Sequence, residues 1–167
     1  FLLLVGSNPV ETRIPDVHFI FDALARGASL VVIDPSFSPT AAKADAHLRI
    51  RPGTDAALAL GLCRQVIEDE VWDPDFMRTY TDAPLLVRTD TGVRLREADL
   101  VAGGAADRFV AWDEAAGAPV IVGTDRLGFP AGVQPALEVA RQIALADGST
   151  VEAKPGFALV REELNRW

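Results

Sequence analysis

The stretch LLLVGSNPVETR, residues 2–13, decides the fold, because an apolar run ends there in a polar turn. The run FLLLV at residues 1–5 is apolar throughout, which is typical of a strand covered on both faces in a parallel sheet. The residues GSNP that follow are of the types that dominate turns. The pattern therefore predicts a buried strand that ends in a ligand-binding turn.

The residues that follow predict a β-α-β unit. Apolar positions at helical spacing predict a helix over residues 15–26, with Pro15 in its first turn and Gly27 as its C-terminal cap. SLVVI, residues 29–33, predicts a second strand, and a crossover of this kind makes the two strands parallel. After a loop with one helical turn, residues 47–51 predict a third strand. A helix over residues 55–70 is rich in small and apolar residues and is expected to be largely buried.

The second half of the chain predicts short strands and hairpins. A short helix over residues 73–80, capped by Asp73, comes first. FVAWD and PVIVG predict one hairpin, and the Asp147-Gly148 turn predicts another, before a terminal helix over residues 157–166. We therefore predict an α/β protein in two parts. Residues 1–82 would form a Rossmann-like parallel sheet with helices on both faces, and residues 83–167 a smaller β-hairpin-rich segment with a C-terminal helix.

Composition excludes several classes of function. A net charge of −8 and a pI near 4.7 argue against binding to nucleic-acid backbones. The single cysteine, Cys63, allows no internal disulfide or thiolate metal site and is predicted to be a packing residue. No stretch reaches the roughly 18 apolar residues of a membrane span, so we expect no direct membrane insertion. Because Phe1 already lies in a strand pattern, we expect a piece of a larger multidomain subunit.

The three predicted parallel strands end in turns that together suit a nucleotide. These ends lie along one edge of the sheet, where open α/β proteins bind their ligands. Gly6 permits close approach of a ligand, Asp34 is placed for ribose hydroxyls, and Asp55 for a guanine-like edge. Ordinary turns use the same residue types, so the pattern alone leaves structural turns and a nucleotide site both open, and it names no nucleotide.

Longer motifs carry a resemblance to a known family. GSNPVETRIPDVHF, VVIDPSFSPTAAKADAHLRIRPGTDAALAL and DPDFMRTYTDAPLLVRTDTGVRLREADL together resemble the molybdopterin catalytic subunits of the dimethyl sulfoxide reductase superfamily. TRIPDVHF and YTDAPLLVRTDTG point to the branch of respiratory nitrate, chlorate and selenate reductases and of ethylbenzene and dimethyl sulfide dehydrogenases. The resemblance covers residues 1 to about 115 and continues more weakly through ADGSTVEAKPGFALVREEL.

The resemblance implies a bis(molybdopterin guanine dinucleotide) molybdenum cofactor, with which such enzymes move electrons and an oxygen atom to or from a small substrate, an oxyanion or a hydrocarbon or sulfide. It also implies an anaerobic-type oxidoreductase of anaerobic respiration. All three strand-end turns would together hold one guanine dinucleotide, with Asp34 binding the ribose and Asp55 the guanine. Matched motif by motif, the implied cofactor-binding residues are Gly6, Ser7, Asn8, Pro9, Thr12, Asp34, Pro35, Ser38, Gly53, Thr54 and Asp55.

The family's aspartate ligand to molybdenum and its iron–sulfur cluster motif belong to an upstream segment, so no catalytic residue and no metal ligand is assigned here. These residues alone are expected to be inactive. The implied partners are an iron–sulfur electron-transfer subunit and, in many members, a haem b subunit. The implied compartment is the periplasm, with a membrane-associated position on the cytoplasmic side as the alternative.

Two other functions stay open. Asp34 after the second strand is also typical of a NAD-binding Rossmann domain, although the first turn lacks the second and third glycines of that fingerprint. A non-catalytic interaction module, packing through its β-rich half with Trp112 and Trp167, is the other alternative.

We predict that His18 and His47 bind no metal, since neither has a partner at ligand spacing. Arg13 is predicted to meet either a phosphate or pterin, or a carboxylate.

Overall fold

A computed structural model describes residues 1–123 and 129–166, and it shows a mixed α/β protein with small sheets. Contacts divide the chain into two compact units, Phe1–Leu60 and Gly61–Trp167. The predicted Trp167 packing contact lies outside the described residues. None of the described helices is both long and apolar enough to cross a membrane.

The first unit is built on a parallel sheet of three strands in the order β1-β2-β3. Helices α1 and α2 connect β1 to β2, and a loop with one 3-10 turn at Ala41–Lys43 connects β2 to β3. The predicted β-α-β unit is therefore confirmed. The bounds are β1 Leu2–Val5, α1 Pro9–Thr12, α2 Ile14–Ala25, β2 Leu30–Ile33 and β3 Ala46–Leu48.

The main hydrophobic cluster of this unit lies on one face of the sheet, while Ile33, which is 2% exposed, is buried on the other face. Leu30 and Val32 of the central strand are fully buried, and Leu24 of α2 packs against them. Successive strand residues face opposite sides, so the alternate residues of β1 face away from this core. Leu3 is 44% exposed and Val5 51% exposed, so the prediction that β1 is covered on both faces is wrong for the described residues.

Helix α3, Asp55–Glu68, forms where it was predicted but is not buried. None of its residues is buried, and Leu60, Leu62 and Val66 are each between 42% and 51% exposed. Cys63 is likewise exposed, so its predicted packing role is wrong. The physical reason is that apolar composition shows which side chains tolerate burial, whereas burial itself depends on what packs against them.

In its described residues, the second unit combines two antiparallel sheets with three helices after α3. One sheet has the order β4-β8-β7 and the other is the hairpin of β5 and β6. Both predicted hairpins are confirmed, and Gly148 takes the left-handed conformation that its turn requires. The bounds are α4 Pro74–Tyr80, β4 Leu86–Arg88, α5 Glu97–Leu100, β5 Phe109–Asp113, β6 Ala118–Val122, β7 Arg141–Ala144, β8 Thr150–Pro155 and α6 Gly156–Leu164.

Two clusters hold the second unit together. Leu86, Leu95 and Val110 form the centre of the first and are fully buried. The second joins Ala83, Leu137 and Phe157, and the ring of Trp72 packs against Phe157 in a tilted arrangement with ring centres 4.5 Å apart. Trp72 and Trp112 both pack against these clusters.

Candidate functional site

The register of the parallel sheet aligns the ends of its three strands. Val5 lies beside Ile33, and Ile33 lies beside Leu48. The chain continues the pairing just beyond these ends, since the Gly6 N–H donates to the Ile33 carbonyl at 2.9 Å and the Asp34 N–H to the Leu48 carbonyl at 3.2 Å. Gly6 and Asp34 therefore lie side by side at the carboxyl edge of the sheet, as predicted.

The first turn is open to a ligand at its glycine. Gly6 has φ 58°, and a Cβ built there would meet no atom within 4 Å. Pro9 is buried at the start of α1, which fixes the direction in which the chain leaves the turn. The Thr12 hydroxyl donates to the Asn8 carbonyl at 2.8 Å, and the Asn8 amide nitrogen donates to the Glu11 carboxylate. The first turn thus combines an open backbone with short polar side chains.

The second turn is ordered by its own side chains. The Ser36 N–H donates to Asp34 Oδ1 at 2.7 Å, and the Ala41 N–H donates to the Ser38 hydroxyl at 3.2 Å. His47 Nε2 lies 2.9 Å from the Asp34 carbonyl oxygen, within hydrogen-bond distance. The contact between His47 and the Asp34 carbonyl ties Asp34 to strand β3. His47 therefore helps to fix the position of Asp34, the residue predicted to bind a ribose.

Thr40 joins the second loop to the first turn. Its side chain is almost completely buried, with the residue 2% exposed. The Thr40 hydroxyl donates to Asn8 Oδ1 at 2.6 Å, and the Val10 N–H donates to the same hydroxyl at 3.2 Å. Thr40 could not be predicted from the sequence, because a threonine in a loop carries no signal of its partner 32 residues away.

The third turn follows β3 in the chain and begins several residues after that strand ends at Leu48. Gly53 has φ 83° with open space around it, and the Thr54 hydroxyl donates to the Arg51 carbonyl at 2.7 Å. Asp55 is the first residue of α3 and is exposed. The hydrogen bonds of the described residues join the first two turns to each other, and none of them joins Thr54 or Asp55 to either.

The other residues singled out from the sequence have plain roles or remain free for a ligand. His18 is exposed and contacts Phe19 in a tilted arrangement, with ring centres 3.9 Å apart. Within residues 1–123 and 129–166 no three histidine, cysteine or carboxylate side chains could share a metal ion. None of the ion pairs among the same residues includes Arg13.

The only carboxylate buried among the described residues lies in the second unit, away from these turns in sequence. Asp113 Oδ1 accepts from the N–H groups of Gln134 and Ala115, each at 3.0 Å. The Gln134 N–H bond, followed by the others, lowers the pKa of Asp113 from its ordinary value, against the opposing effect of desolvation. Asp113 therefore ties β5 to the segment around Gln134, which is a structural role.

The three turns carry open backbone and polar groups of the kinds that hydrogen-bond a polar ligand. Open backbone at Gly6 and Gly53 admits close approach, and small polar groups and the Asp34 and Asp55 carboxylates supply hydrogen bonds. No described residue of these turns forms a metal cluster. The fold thus defines a class, an α/β protein with polar turns at the carboxyl ends of parallel strands, the edge where open α/β sheets bind their ligands.

Comparison with known proteins shows the family of the chain. The model of the molybdopterin oxidoreductase family matches residues 1–126. The perchlorate reductase subunit alpha of Dechloromonas aromatica is 37% identical over 98% of this chain and 20% of its own length. The dimethylsulfide dehydrogenase subunit alpha of Rhodovulum sulfidophilum is 37% identical over 100% of this chain and 18% of its own length.

A third relative is the chlorate reductase subunit alpha of Ideonella dechloratans, 38% identical over 72% of this chain and 13% of its own length. The chain belongs to the molybdopterin oxidoreductase family, whose members are enzymes with a molybdenum–pterin cofactor. It spans about a fifth of the length of the first two relatives. The family resemblance predicted from the sequence is confirmed.

Proposed function

We propose that these residues form part of a molybdenum-containing catalytic subunit and bind one guanine dinucleotide of a bis(molybdopterin guanine dinucleotide) cofactor. The observation that carries the proposal is the alignment of two polar turns at the carboxyl edge of a parallel sheet, inside the segment that matches the family. The proposed binding residues are those of the sequence prediction: Gly6, Ser7, Asn8, Pro9, Thr12, Asp34, Pro35, Ser38, Gly53, Thr54 and Asp55.

Each turn has its own part in this proposal. The Asp34 carboxylate, whose Oδ1 holds the turn through Ser36, accepts from the ribose hydroxyls. The Asp55 carboxylate accepts two N–H bonds from the guanine edge, a pairing that no other common base offers in the same geometry. The cationic Arg13, which has no nearby carboxylate in the described residues, suits a phosphate.

The proposed fold of the complete protein is Rossmann-like, with helices on both faces of an extended parallel sheet. In this division residues 1–82 belong to the dinucleotide-binding portion, and residues 83–167 pack on the rest of the subunit. The bound cofactor supplies molybdenum for electron and oxygen-atom transfer. The residues of this chain bind and orient its nucleotide end and hold no proton or electron of the reaction.

The relatives suggest what the whole protein does. Their names describe alpha subunits that reduce perchlorate or chlorate or oxidise dimethyl sulfide. We therefore propose a small oxyanion or a sulfide or hydrocarbon as substrate, and an iron–sulfur electron-transfer subunit as partner, with a haem b subunit in some assemblies. An iron–sulfur cluster in the catalytic subunit and a periplasmic location complete the proposal.

The test uses the full-length protein purified with its cofactor. We expect molybdenum and, after acid treatment, guanine nucleotide in the ratio that a bis cofactor requires. The substitution Asp55→Asn removes one acceptor from the guanine edge and should weaken retention of the nucleotide by about ten- to a hundredfold, since hydrogen bonds to charged groups contribute about 1.5–3 kcal/mol. An active protein that contains neither molybdenum nor guanine nucleotide would contradict the proposal.

The matched control is Asp75→Asn. Asp75 also lies in the first turn of a helix and its side chain is almost fully exposed, but it is remote in sequence from the proposed turns. This variant should retain the wild-type content of guanine nucleotide. Equal loss in the two variants would show that the effect follows from charge alone and would remove Asp55 from the site.

A further inference from the structure

We propose that Thr40 is a positioning residue, which fixes the Asn8 side-chain amide so that its nitrogen faces the ligand as a hydrogen-bond donor. This inference rests on the proposed guanine nucleotide site and deepens it. It assigns to the first turn a donor that meets an oxygen acceptor of the nucleotide. Thr40 itself need not touch the ligand, because its hydroxyl is buried behind Asn8.

The hydroxyl of Thr40 is satisfied in both directions. It accepts from the Val10 N–H at 3.2 Å and donates its hydrogen to Asn8 Oδ1 at 2.6 Å. Its contacts span the loop after β2 and the turn after β1. Because Thr40 is 2% exposed, water does not easily replace either partner.

Two physical arguments fix which end of the Asn8 amide faces Thr40. If the amide were flipped, its nitrogen would face Thr40, and the buried hydroxyl hydrogen would lose the acceptor that it now has. The flipped amide would also turn its oxygen toward the Glu11 carboxylate, which now accepts from the nitrogen. Both effects favour the same orientation, with the oxygen inward and the nitrogen toward Glu11.

The consequence is a donor of defined direction at the first turn. An amide nitrogen carries two hydrogens, and the described bonds use one of them, to Glu11. Asn8 is half-buried and lies two residues after the open backbone of Gly6. The second N–H is therefore placed to meet an oxygen of the nucleotide as it approaches the sheet edge.

The experiment measures binding of GDP, which carries guanine, ribose and pyrophosphate, to the full-length subunit prepared without cofactor, by equilibrium dialysis. Thr40→Val keeps the shape and removes the hydroxyl, and it should weaken GDP binding about five- to tenfold, the effect of one lost hydrogen bond. Thr40→Ser keeps the hydroxyl and should restore binding to within about twofold of wild type.

A double substitution separates positioning from general stability. If Thr40 acts through Asn8, Thr40→Val should cause no further loss of GDP binding in an Asn8→Ala background, because the group that it orients is gone. A merely structural threonine would weaken binding by the same factor in both backgrounds, which would overturn the proposal. The control is Thr81→Val, since the Thr81 hydroxyl also donates to a carbonyl, that of Met77, and accepts from a backbone N–H, that of Ala83.

A further variant keeps the proposal testable if Thr40→Val does not fold. Asn8→Asp retains an oxygen for the Thr40 hydroxyl but replaces the outward N–H by a second oxygen, so it should lose GDP binding at least as strongly as Asn8→Ala. Wild-type GDP binding by Asn8→Asp overturns the role of Asn8 as donor. Absence of guanine nucleotide from the wild-type holoenzyme overturns the proposed function, whereas equal GDP binding by wild type and Thr40→Val overturns this inference alone.

Discussion

Gly6 shows how a single residue shapes the proposed site. Its φ of 58° lies in the left-handed region, which residues with a Cβ adopt at a cost. The space around it is open, so the requirement for glycine comes from the backbone and not from a neighbouring atom. Glycine therefore lets the turn adopt this conformation, with its backbone open, at little cost.

The substitution Gly6→Ala should destabilise the protein by about 1 kcal/mol through backbone strain. Gly61→Ala is the matched control, because Gly61 lies inside α3 with ordinary helical φ and equally open surroundings. It should stabilise the protein by up to about 1 kcal/mol through helix propensity. Urea unfolding of the full-length protein measures both effects, and the same sign for the two variants would refute this account.

Some single residues could be predicted from the sequence and others could not. Asp34 and Gly6 stood out because a polar or glycine residue directly followed an apolar strand, and the structure places both at the sheet edge. Thr40 and the contact of His47 with the Asp34 carbonyl were missed. Both depend on which strands pair and in what register, which no local pattern specifies.

Among the helices, α4 is the one whose start the sequence specifies most completely. Asp73 precedes Pro74, and the structure shows Asp73 Oδ1 accepting from the N–H groups of Asp75 and Phe76, each at 2.9 Å. These are two of the N–H groups that a helix leaves unpaired at its start. One carboxylate therefore closes the first turn of α4.

The substitution Asp73→Ala should destabilise the protein by about 1 kcal/mol, the usual cost of losing an N-terminal cap. Hydrogen exchange should show faster exchange of the Asp75 and Phe76 amides, with little change in α6. Asp73→Asn serves as the control, since its side-chain oxygen still caps the helix. Unchanged amide protection in Asp73→Ala would mean that packing alone holds the helix start.

The sequence predicts helices and strands well where the pattern of apolar and polar residues repeats. It predicts very short elements poorly, and it does not predict burial, because burial depends on contacts. The hairpins of β5 with β6 and of β7 with β8 carried turn signals and alternating residues, and both form. The four-residue helices α1 and α5 are too short to show helical periodicity. Helix α3 was placed correctly, yet its predicted burial was wrong because burial depends on what covers the helix.

Acidic residues outnumber basic residues in the chain, which carries a net charge of −8. Among the residues that the structure describes, three carboxylates have pKa values below their ordinary range: Asp90 through its hydrogen bond to Arg88, Asp113 through the Gln134 N–H, and Asp147 through the Ser149 hydroxyl. A carboxyl whose pKa is lower in the folded state stabilises the fold while it is ionised. These groups make stability depend on pH in the acid range.

Stability should therefore fall as the pH is lowered from the ordinary aspartate pKa, about 3.9, toward the lower pKa of the folded state. Above that window the stabilisation by these carboxylates is fully present. Asp113→Asn should lower stability at neutral pH and also flatten the acid dependence, because the neutral amide no longer titrates. Thermal unfolding across pH 2–7 measures both, and an unchanged slope in Asp113→Asn would exclude Asp113 from the acid response.

At the level of the whole molecule, the fold class and the family were predictable from long motifs, and the match over residues 1–126 confirms the family. The boundary between the two compact units falls between residues 60 and 61 of the chain. It rests on contacts that the sequence does not display. Helix α3, continuous in sequence pattern, contributes residues to both units. Periodicity specifies such an element but not the unit to which each of its turns belongs.

The incomplete cover of the second face of the three-stranded sheet has a consequence for solubility. Among the described residues, the outer strands β1 and β3 each pair along one edge only, and Leu3, Val5 and Leu48 are exposed on the face away from the core. Unpaired strand edges beside apolar side chains recruit further strands. These residues expressed without a covering segment would therefore self-associate as their concentration rises, through strand addition at β1 or β3.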